Sequence, residues 1–474
     1  MGRVDNSVVS KTVGQAWESS ILPSLSDFVA IPALSPAFDP EWAANGQLDA
    51  AVEHVRSWVN DRGIPGVTTE IVRLDGRTPV LLIDVPATGD TTDTVLLYGH
   101  LDKQPPVGGW SDGLGPWQPV LRDGRLYGRG SADDGYSGYA ATAAIEAVRA
   151  AGGSHARCVV LLETGEESGS PDLPVYLDHL KDRLGDVSLV VCLDSGGNDY
   201  RRLWMTTSLR GMVSVDVTVR VLRAGQHSGL ASGIVPSSFR ILRRLLDRLE
   251  DSETGRLLLP ELHVEVPADR LDEVRVSVEA VPGVFTQMFS LPDGMSTVDT
   301  DEVELALNNS WRPTLSVIGA SGLPEPLDAG NVLRTHTTLS LSFRLPPTVD
   351  AYAALEAVKK TLTTDVPYGA QVELGRTDVG PGWNAPAFAP WLRSIVDDVS
   401  DGVFGGEPYG TVGLGGSIPF MGLLAEKYPD AQFVVTGALG PDSNAHVPDE
   451  WLNIAQAARV TEAVAHILDA HAAR

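Results

Sequence analysis

Residues 94–102 read TVLLYGHLD, an apolar run that ends in Gly99, His100, Leu101 and Asp102. A short continuous apolar run of this kind is typical of a strand that is buried on both faces, as in parallel sheets. Its polar side chains come only at the carboxyl end. In open α/β sheets the carboxyl ends of the strands form the edge where ligands bind. We therefore expect His100 and Asp102 to lie at a binding site.

The same arrangement occurs twice more along the chain. One apolar run is followed by Glu166 and Glu167, and the next is followed by Asp194. An Ala-rich stretch at 138–151 predicts a helix that stops at two glycines. Strands that alternate with helices predict an α/β domain, with a mixed, mostly parallel sheet flanked by helices. The strands predicted in this way cover residues 80–85, 94–98, 158–162, 189–193 and 432–435.

The middle of the chain has a different pattern. Residues 212–221 and 338–345 alternate apolar and polar side chains, which predicts strands with one buried and one wet face. Residues 237–249 and 350–362 have apolar side chains at helical spacing. We predict an inserted α+β domain at 209–380, within an α/β domain made of 1–208 and 381–474.

Composition limits the classes of partner. The chain has 474 residues, with 36 Lys+Arg against 62 Asp+Glu and a formal charge of −26. This excess of acid argues against nucleic acid and against an anionic membrane surface. No run is long enough for a transmembrane helix, and we expect no signal peptide. Cys158 and Cys192 lie in apolar runs, which suggests a reducing compartment and a cytoplasmic location.

The polar residues at the strand ends form a set of metal-ligand types. Besides His100 they include Asp133, in the stretch GRGSADDG at 128–135, and His446, which follows the last predicted strand. Nitrogen and oxygen ligands without cysteine suit Zn²⁺, with Mn²⁺ or Co²⁺ as alternatives. One bridging carboxylate, with a histidine and a carboxylate for each ion, would build a two-metal site. Taken singly, each residue also has a structural explanation; for Asp133 it is the N-cap of a helix.

The ordered set of motifs resembles the M20 metallopeptidase family, and more narrowly its dipeptidase branch, the carnosinase-like and cytosolic nonspecific dipeptidases. The resemblance extends over almost the whole chain. Its motifs are GHLD at 99–102, GRGSADDG at 128–135, EESGS at 166–170, Asp194, GQHSG at 225–229, FRL at 343–345, GGSIP at 415–419, and Ala445 with His446.

The resemblance implies a di-zinc peptidase that hydrolyses dipeptides by a metal-bridging hydroxide, with Glu166 as the general base. Asp102 would orient the imidazole of His100, and the peptide bond after the bridging aspartate is expected to be cis. The implied metal ligands are His100, Asp133 as the bridge, Glu167, Asp194 and His446.

The resemblance also implies residues that hold the substrate. His227 would stabilise the oxyanion, and in dimeric relatives this histidine reaches the site of the partner subunit. We therefore expect a homodimer, with 209–380 as the lid and dimerisation domain and with 1–208 and 381–474 as the catalytic domain. Arg344 would bind the carboxylate of a small peptide substrate, assisted by Asn331. A backbone loop that contains Gly416 and Ser417 would touch the same carboxylate.

Other functions are compatible with parts of this pattern. The same metal site would serve an N-acyl-amino-acid or carbamoyl amidohydrolase, since those substrates also carry a free carboxylate. A binding protein on an inactive hydrolase scaffold is disfavoured, because Glu166 and every expected ligand are present. A serine hydrolase is disfavoured because we find no serine at a strand-to-helix turn of the nucleophile-elbow type. Gly135 stands where relatives usually have Lys, which leaves the substrate open.

Overall fold

The computed structural model describes residues 4–416 and 418–474. Its helices are α1 Asn6–Ala16, α2 Leu22–Val29, α3 Trp42–Asn45, α4 Gln47–Asp61, α5 Ser137–Ala150, α6 Leu173–His179, α7 Lys181–Leu184, α8 Ser228–Ala231, α9 Ser238–Leu246, α10 Ala268–Ala280, α11 Val284–Gln287, α12 Glu302–Ser310, α13 Ala351–Thr363, α14 Pro390–Gly402, α15 Pro419–Lys427 and α16 Ile454–Ala472. Its strands are β1 Thr68–Val72, β2 Val80–Val85, β3 Thr94–His100, β4 Val120–Arg122, β5 Arg125–Tyr127, β6 Arg157–Glu163, β7 Val187–Cys192, β8 Trp204–Leu209, β9 Gly211–Arg220, β10 Gln226–His227, β11 Thr314–Ser321, β12 Val332–Leu333, β13 His336–Leu345, β14 Gln371–Gly380, β15 Trp383–Asn384, β16 Gly410–Leu414, β17 Gln432–Val435 and β18 Trp451–Asn453.

The main sheet has the strand order β1-β2-β6-β3-β7-β17. Pairings β6–β3, β3–β7 and β7–β17 are parallel, whereas β2 is antiparallel to both β1 and β6. The mixed, mostly parallel sheet of the predicted α/β class is confirmed. The parallel character expected of β2 is wrong, because a fully buried strand has the same apolar run whichever way it pairs.

Both faces of this sheet are buried. Alternate residues of β3 enter two different cores: Val95 and Leu97 pack on one side, and Leu96 and Tyr98 on the other. Successive side chains of a strand point to opposite faces, so a strand with helices on both sides needs apolar residues at every position. Helices α1, α5, α14 and α16 pack against one another in the layer that covers one face.

A second sheet, ordered β11-β13-β9-β14, is antiparallel throughout. Along β9 buried and half-buried residues alternate, as predicted, and the buried side chains form a separate core with α9 and α13. These elements fall between residues 211 and 380. We propose that they constitute the inserted domain; its exact boundaries stay a prediction.

Residues 259–309, which the sequence pattern does not assign, contain helices α10, α11 and α12. Their small apolar core consists of Val274, Ala306, Leu307 and Trp311. Among the described residues no helix is both long enough and apolar enough to cross a membrane. Cys158 and Cys192 are buried free thiols.

Candidate metal centre

The predicted ligands converge because their strands are neighbours in the main sheet. His100 is the last residue of β3 and lies beside Glu163, the last residue of β6. A 3₁₀ turn at Glu166–Ser168 follows β6, and Asp194 comes two residues after the end of β7. Asp133 belongs to the loop before α5, and its peptide bond to Asp134 is cis, as the resemblance implies.

Asp133 lies between two histidines, with one carboxylate oxygen directed to each. Its Oδ1 is 3.2 Å from Nε2 of His100 and its Oδ2 is 2.8 Å from Nε2 of His446. Asp194 approaches the first imidazole at 3.8 Å, and Glu167 approaches the second at 3.4 Å. Two groups of ligand atoms result, His100 with Asp133 and Asp194, and Asp133 with Glu167 and His446; within each group the atoms lie within 4.8 Å of one another.

The donor set suits a divalent metal, with two candidate groups of ligands. Burial, together with repulsion from Asp133, raises the pKa of Glu167 and of Asp194 well above the ordinary carboxyl value. Such shifts mean that the buried carboxylates lack compensating positive charge, which bound cations would supply. Partial burial lowers the pKa of His446. The bond to Asp133 and the nearby carboxylates outweigh this effect, and the pKa is raised to about 9. Nitrogen and oxygen donors of this type suit zinc.

Asp102 orients both His100 and the acidic turn. Nδ1 of His100 lies 3.1 Å from the carbonyl oxygen of Asp102 and 3.4 Å from its carboxylate. The carboxylate also accepts the backbone N–H groups of Glu166 at 3.2 Å and Glu167 at 3.0 Å. The second contact set was not expected from the sequence, which suggested only the imidazole as its partner.

Glu166 lies beside the ligand groups without belonging to either. Burial raises the pKa of its carboxyl to about 8; His100 lowers it, and the carboxylates of Asp102 and Asp133 raise it further. Cations bound by the neighbouring side chains would lower this pKa. A carboxylate beside such a site can take and return a proton near neutral pH.

Sequence reasoning missed Glu450, a buried carboxylate that joins two loops of the site. Its Oε2 pairs with Arg129 at 2.6 Å, and its Oε1 accepts backbone N–H groups from Gly130, Ala132 and Asp133 at 3.0–3.3 Å. Glu450 therefore links the loop that carries Asp133 to the loop that carries His446. Its position four residues after His446 is the only signal that the sequence offers for it.

Two pockets open onto the metal centre. The first pocket is lined by Asp133, Glu166, Asp194 and His446 together with Val284 and Met288. The second pocket is lined by Glu166, Glu167 and His446 on one side and by Met212, Asp350 and Asp378 on the other. Gln104 also lines this pocket, and its amide nitrogen donates to Glu167 at 2.6 Å. Glu166 thus lines both pockets.

The predicted substrate-binding residues fall into two groups. Gly416 lines the first pocket, and Gly415 beside it accepts a hydrogen bond from the buried Arg210 at 3.1 Å. Burial, together with the charge of nearby Arg344, lowers the pKa of Arg210 to about 10. Arg344 is thus near Arg210, which contacts the glycine loop, but it is not among the described residues that line either pocket. Ser417 lies outside the described residues.

His227 and Asn331 lie together elsewhere. His227 pairs with Val332 in the two-stranded β10–β12 ribbon, and the carbonyl of Asn331 accepts the N–H of Ser228 at 2.8 Å. Both residues are exposed. Neither is among the described residues that line the two pockets, so within one chain the structure does not bring them to the metal centre.

The chain resembles known peptidases in sequence and in fold. The chain matches the model of peptidase family M20/M25/M40 over residues 96–470. It is 29% identical over 385 residues to the cysteinylglycine-S-conjugate dipeptidase of Corynebacterium striatum, which covers 79% of this chain and 80% of the relative. Human carnosine dipeptidase 1 superposes with a TM-score of 0.76 and 22% identity, covering 99% of this chain and 100% of that one. An M20 family metallo-carboxypeptidase from Sulfolobus solfataricus gives a TM-score of 0.79 and 20% identity, covering 96% and 100%. These two structures share the fold.

Proposed function

Because this chain belongs to peptidase family M20/M25/M40 and is thereby a metal-dependent hydrolase, we propose that it hydrolyses dipeptides with two zinc ions and Glu166 as the general base. The observation that carries the proposal is the division of the Asp133 carboxylate between His100 at 3.2 Å and His446 at 2.8 Å. A bridging carboxylate must direct one oxygen to each ion, and each oxygen of Asp133 lies beside a different histidine.

In this proposal His100 and Asp194 hold one ion, Glu167 and His446 hold the other, and Asp133 bridges them. When bound, the ions would polarise the scissile carbonyl and make the attacking water more acidic. Glu166 takes a proton from that water as the water oxygen bonds to the carbonyl carbon. It then returns the proton to the amide nitrogen, whose bond to carbon breaks to release a free carboxylate and a free amine.

The remaining residues would hold the ends of the substrate. Arg344 would pair with the free carboxylate through its planar guanidinium, with Asn331, Gly416 and Ser417 beside it. His227 would donate to the developing oxyanion. Since His227 lies outside both pockets of its own chain, we propose that it acts in the partner subunit of a homodimer formed through residues 209–380.

A dipeptide is favoured over an acylated amino acid by the relative from C. striatum, which covers most of the chain and is named for dipeptides. We also propose a cytoplasmic location, because both cysteines are buried free thiols. The C. striatum name adds S-conjugates of cysteinylglycine to the substrates that should be tried.

The test is hydrolysis of Ala-Ala, Cys-Gly, a Cys-Gly S-conjugate, β-Ala-His, N-acetyl-alanine and a tripeptide by metal-stripped protein, with and without added Zn²⁺, Mn²⁺ or Co²⁺. Metal-dependent cleavage of dipeptides, with the acetylated and longer compounds left intact, is the expected result. Cleavage of N-acetyl-alanine alone would replace the dipeptidase proposal with an acyl-amino-acid hydrolase. Activity that survives removal of every metal would contradict the metal mechanism.

A further inference from the structure

The short helix α11 presents an apolar face to the first pocket. Met288 follows the helix in helical conformation, and its N–H donates to the carbonyl of Val284 at 3.1 Å. Residues four apart lie on the same face of a helix, and both side chains line the pocket that contains Asp194 and His446. Met288 is 53% exposed, so a large apolar side chain faces the open space beside the metal ligands.

This apolar face of Val284 and Met288, the α11 wall, is held in place by contacts on the other side of the helix. Phe285, on another face of α11, packs against the small core that includes Trp311. Glu302 at the start of α12 accepts the N–H of Gly283 at 2.7 Å and the hydroxyl of Thr286 at 2.6 Å. Packing and hydrogen bonds on the rear side fix the helix, so the positions of Val284 and Met288 do not depend on a ligand.

Other lining residues of the first pocket add to its apolar surface. Leu414 and Leu439 line it, and the titratable residues in its lining are Asp133, Glu166, Asp194, Asp442 and His446. Among the described lining residues there is no lysine or arginine. An acidic side chain of a substrate would therefore meet no lysine or arginine of the lining, whereas an apolar one would meet the apolar face of α11 and the side chains of Leu414 and Leu439.

We infer that the first pocket binds one side chain of the dipeptide and selects an aliphatic or thioether side chain at that position. The inference rests on the proposed dipeptidase function and adds the class of substrate. Because the pocket contains Asp133 and Glu166 as well as the α11 wall, a side chain next to the scissile bond can reach that wall. Binding sites for small molecules commonly combine an apolar lining with a few convergent polar groups in this way.

The experiment measures kcat/KM for Leu-Ala, Ala-Leu and Ala-Ala with wild type, Met288→Asp, Val284→Thr and Met295→Asp. Met295 is 61% exposed in the loop beyond α11 and does not line the pocket, so Met295→Asp adds the same charge nearby and serves as the matched control. Met288→Asp should lower kcat/KM for one of the two leucine dipeptides about tenfold relative to Ala-Ala. Val284→Thr, which keeps the shape, should move the same ratio in the same direction by less.

The outcomes separate the inference from the function on which it rests. Normal turnover of Ala-Ala with unchanged leucine ratios in both pocket variants would overturn the inference alone. An equal fall in kcat/KM for all three substrates would also overturn the inference, because the α11 wall would then support the site without discriminating between substrate side chains. If wild type cleaved no dipeptide, the proposed function would fall, and the inference with it.

Discussion

Glu450 accepts the backbone N–H of Asp133 at 3.3 Å, although 317 residues separate the two along the chain. The same carboxylate forms a fully buried ion pair with Arg129 at 2.6 Å and lies four residues after His446. The loops that carry Asp133 and His446 are thus joined by one side chain that belongs to neither group of candidate ligands.

Glu450→Gln should therefore lower both stability and metal affinity. Its amide nitrogen would replace an acceptor and leave either Arg129 or the loop N–H groups unpaired. Breaking a buried ion pair on one side costs about 3 kcal/mol or more. Urea unfolding and zinc titration would measure the two effects. Glu53→Gln is the control, because Glu53 also pairs with an arginine at 2.6 Å but on the surface, where such pairs contribute at most about 1 kcal/mol. Equal losses in the two variants would contradict the positioning role.

Asp102→Asn should reduce activity without unfolding the protein. The asparagine side chain has one acceptor oxygen, so it cannot accept the N–H groups of both Glu166 and Glu167 while facing His100. We expect metal affinity or kcat/KM to fall by about 10- to 100-fold, as is typical when the partner of a metal-binding histidine is removed. Asp251→Asn is the control, since Asp251 accepts two backbone N–H groups in an exposed turn. Unchanged zinc affinity and turnover in Asp102→Asn would show that its carboxylate charge is dispensable.

Glu166→Ala and His446→Ala should fail in different ways. Loss of the general base should lower kcat by about 10²- to 10⁴-fold while two ions stay bound, because Glu166 belongs to neither ligand group. Loss of His446 should remove one ion, which metal analysis of the dialysed protein would detect. His179→Ala, at an exposed histidine, should change neither quantity. Near-normal kcat in Glu166→Ala would refute the proposed mechanism.

Local sequence predicts the metal ligands at strand ends but not the residues that support them. His100 and Asp194 follow apolar runs, and neighbouring parallel strands bring such ends together, so their proximity follows from the pattern. Glu450 lies in a polar stretch without periodicity, and its partner Arg129 is 321 residues away. Only the folded chain can identify a contact of that kind.

The pairing direction of β2 and the helices within 259–309 were unpredictable for related reasons. A buried strand has the same apolar run in either direction, so only its neighbours decide how it pairs. Helices α11 and α12 are short and partly exposed, and they are held by contacts such as that of Glu302 with Thr286 at 2.6 Å. Short helices depend on tertiary packing more than on propensity.

His155 should make stability depend on pH. Burial lowers the pKa of His155 to about 4; the bond from Nδ1 to the carbonyl of Ala156 raises it and the charge of Arg149 lowers it. Nε2 accepts a hydrogen bond from Arg149 at 2.8 Å, which requires a neutral ring. The unfolded chain binds a proton near pH 6.5 and the folded protein does not. The neutral ring of His155 therefore makes its full contribution to the free energy of unfolding above pH 6.5. This contribution is lost as the pH falls toward 4, by about 3 kcal/mol at most.

Urea unfolding at several pH values between 7 and 4.5 would test this contribution. His155→Asn should flatten the decline relative to wild type, whereas His179→Asn, at an exposed histidine, should keep the wild-type slope. Parallel curves for wild type and His155→Asn would show that the ring is protonated inside the folded protein.

Mixing two inactive variants should restore activity if His227 acts across a dimer. In a heterodimer of His227→Ala and Glu166→Ala, one site combines the intact Glu166 of its own subunit with the intact His227 of the partner. Random exchange makes about half of the dimers mixed, each with one working site of two, so about a quarter of wild-type activity should return. Each variant alone, refolded and mixed with itself, is the control. If His227 acts within its own chain, every site in the mixture lacks one of the two residues and no activity returns; sedimentation would then show whether the active species is a monomer.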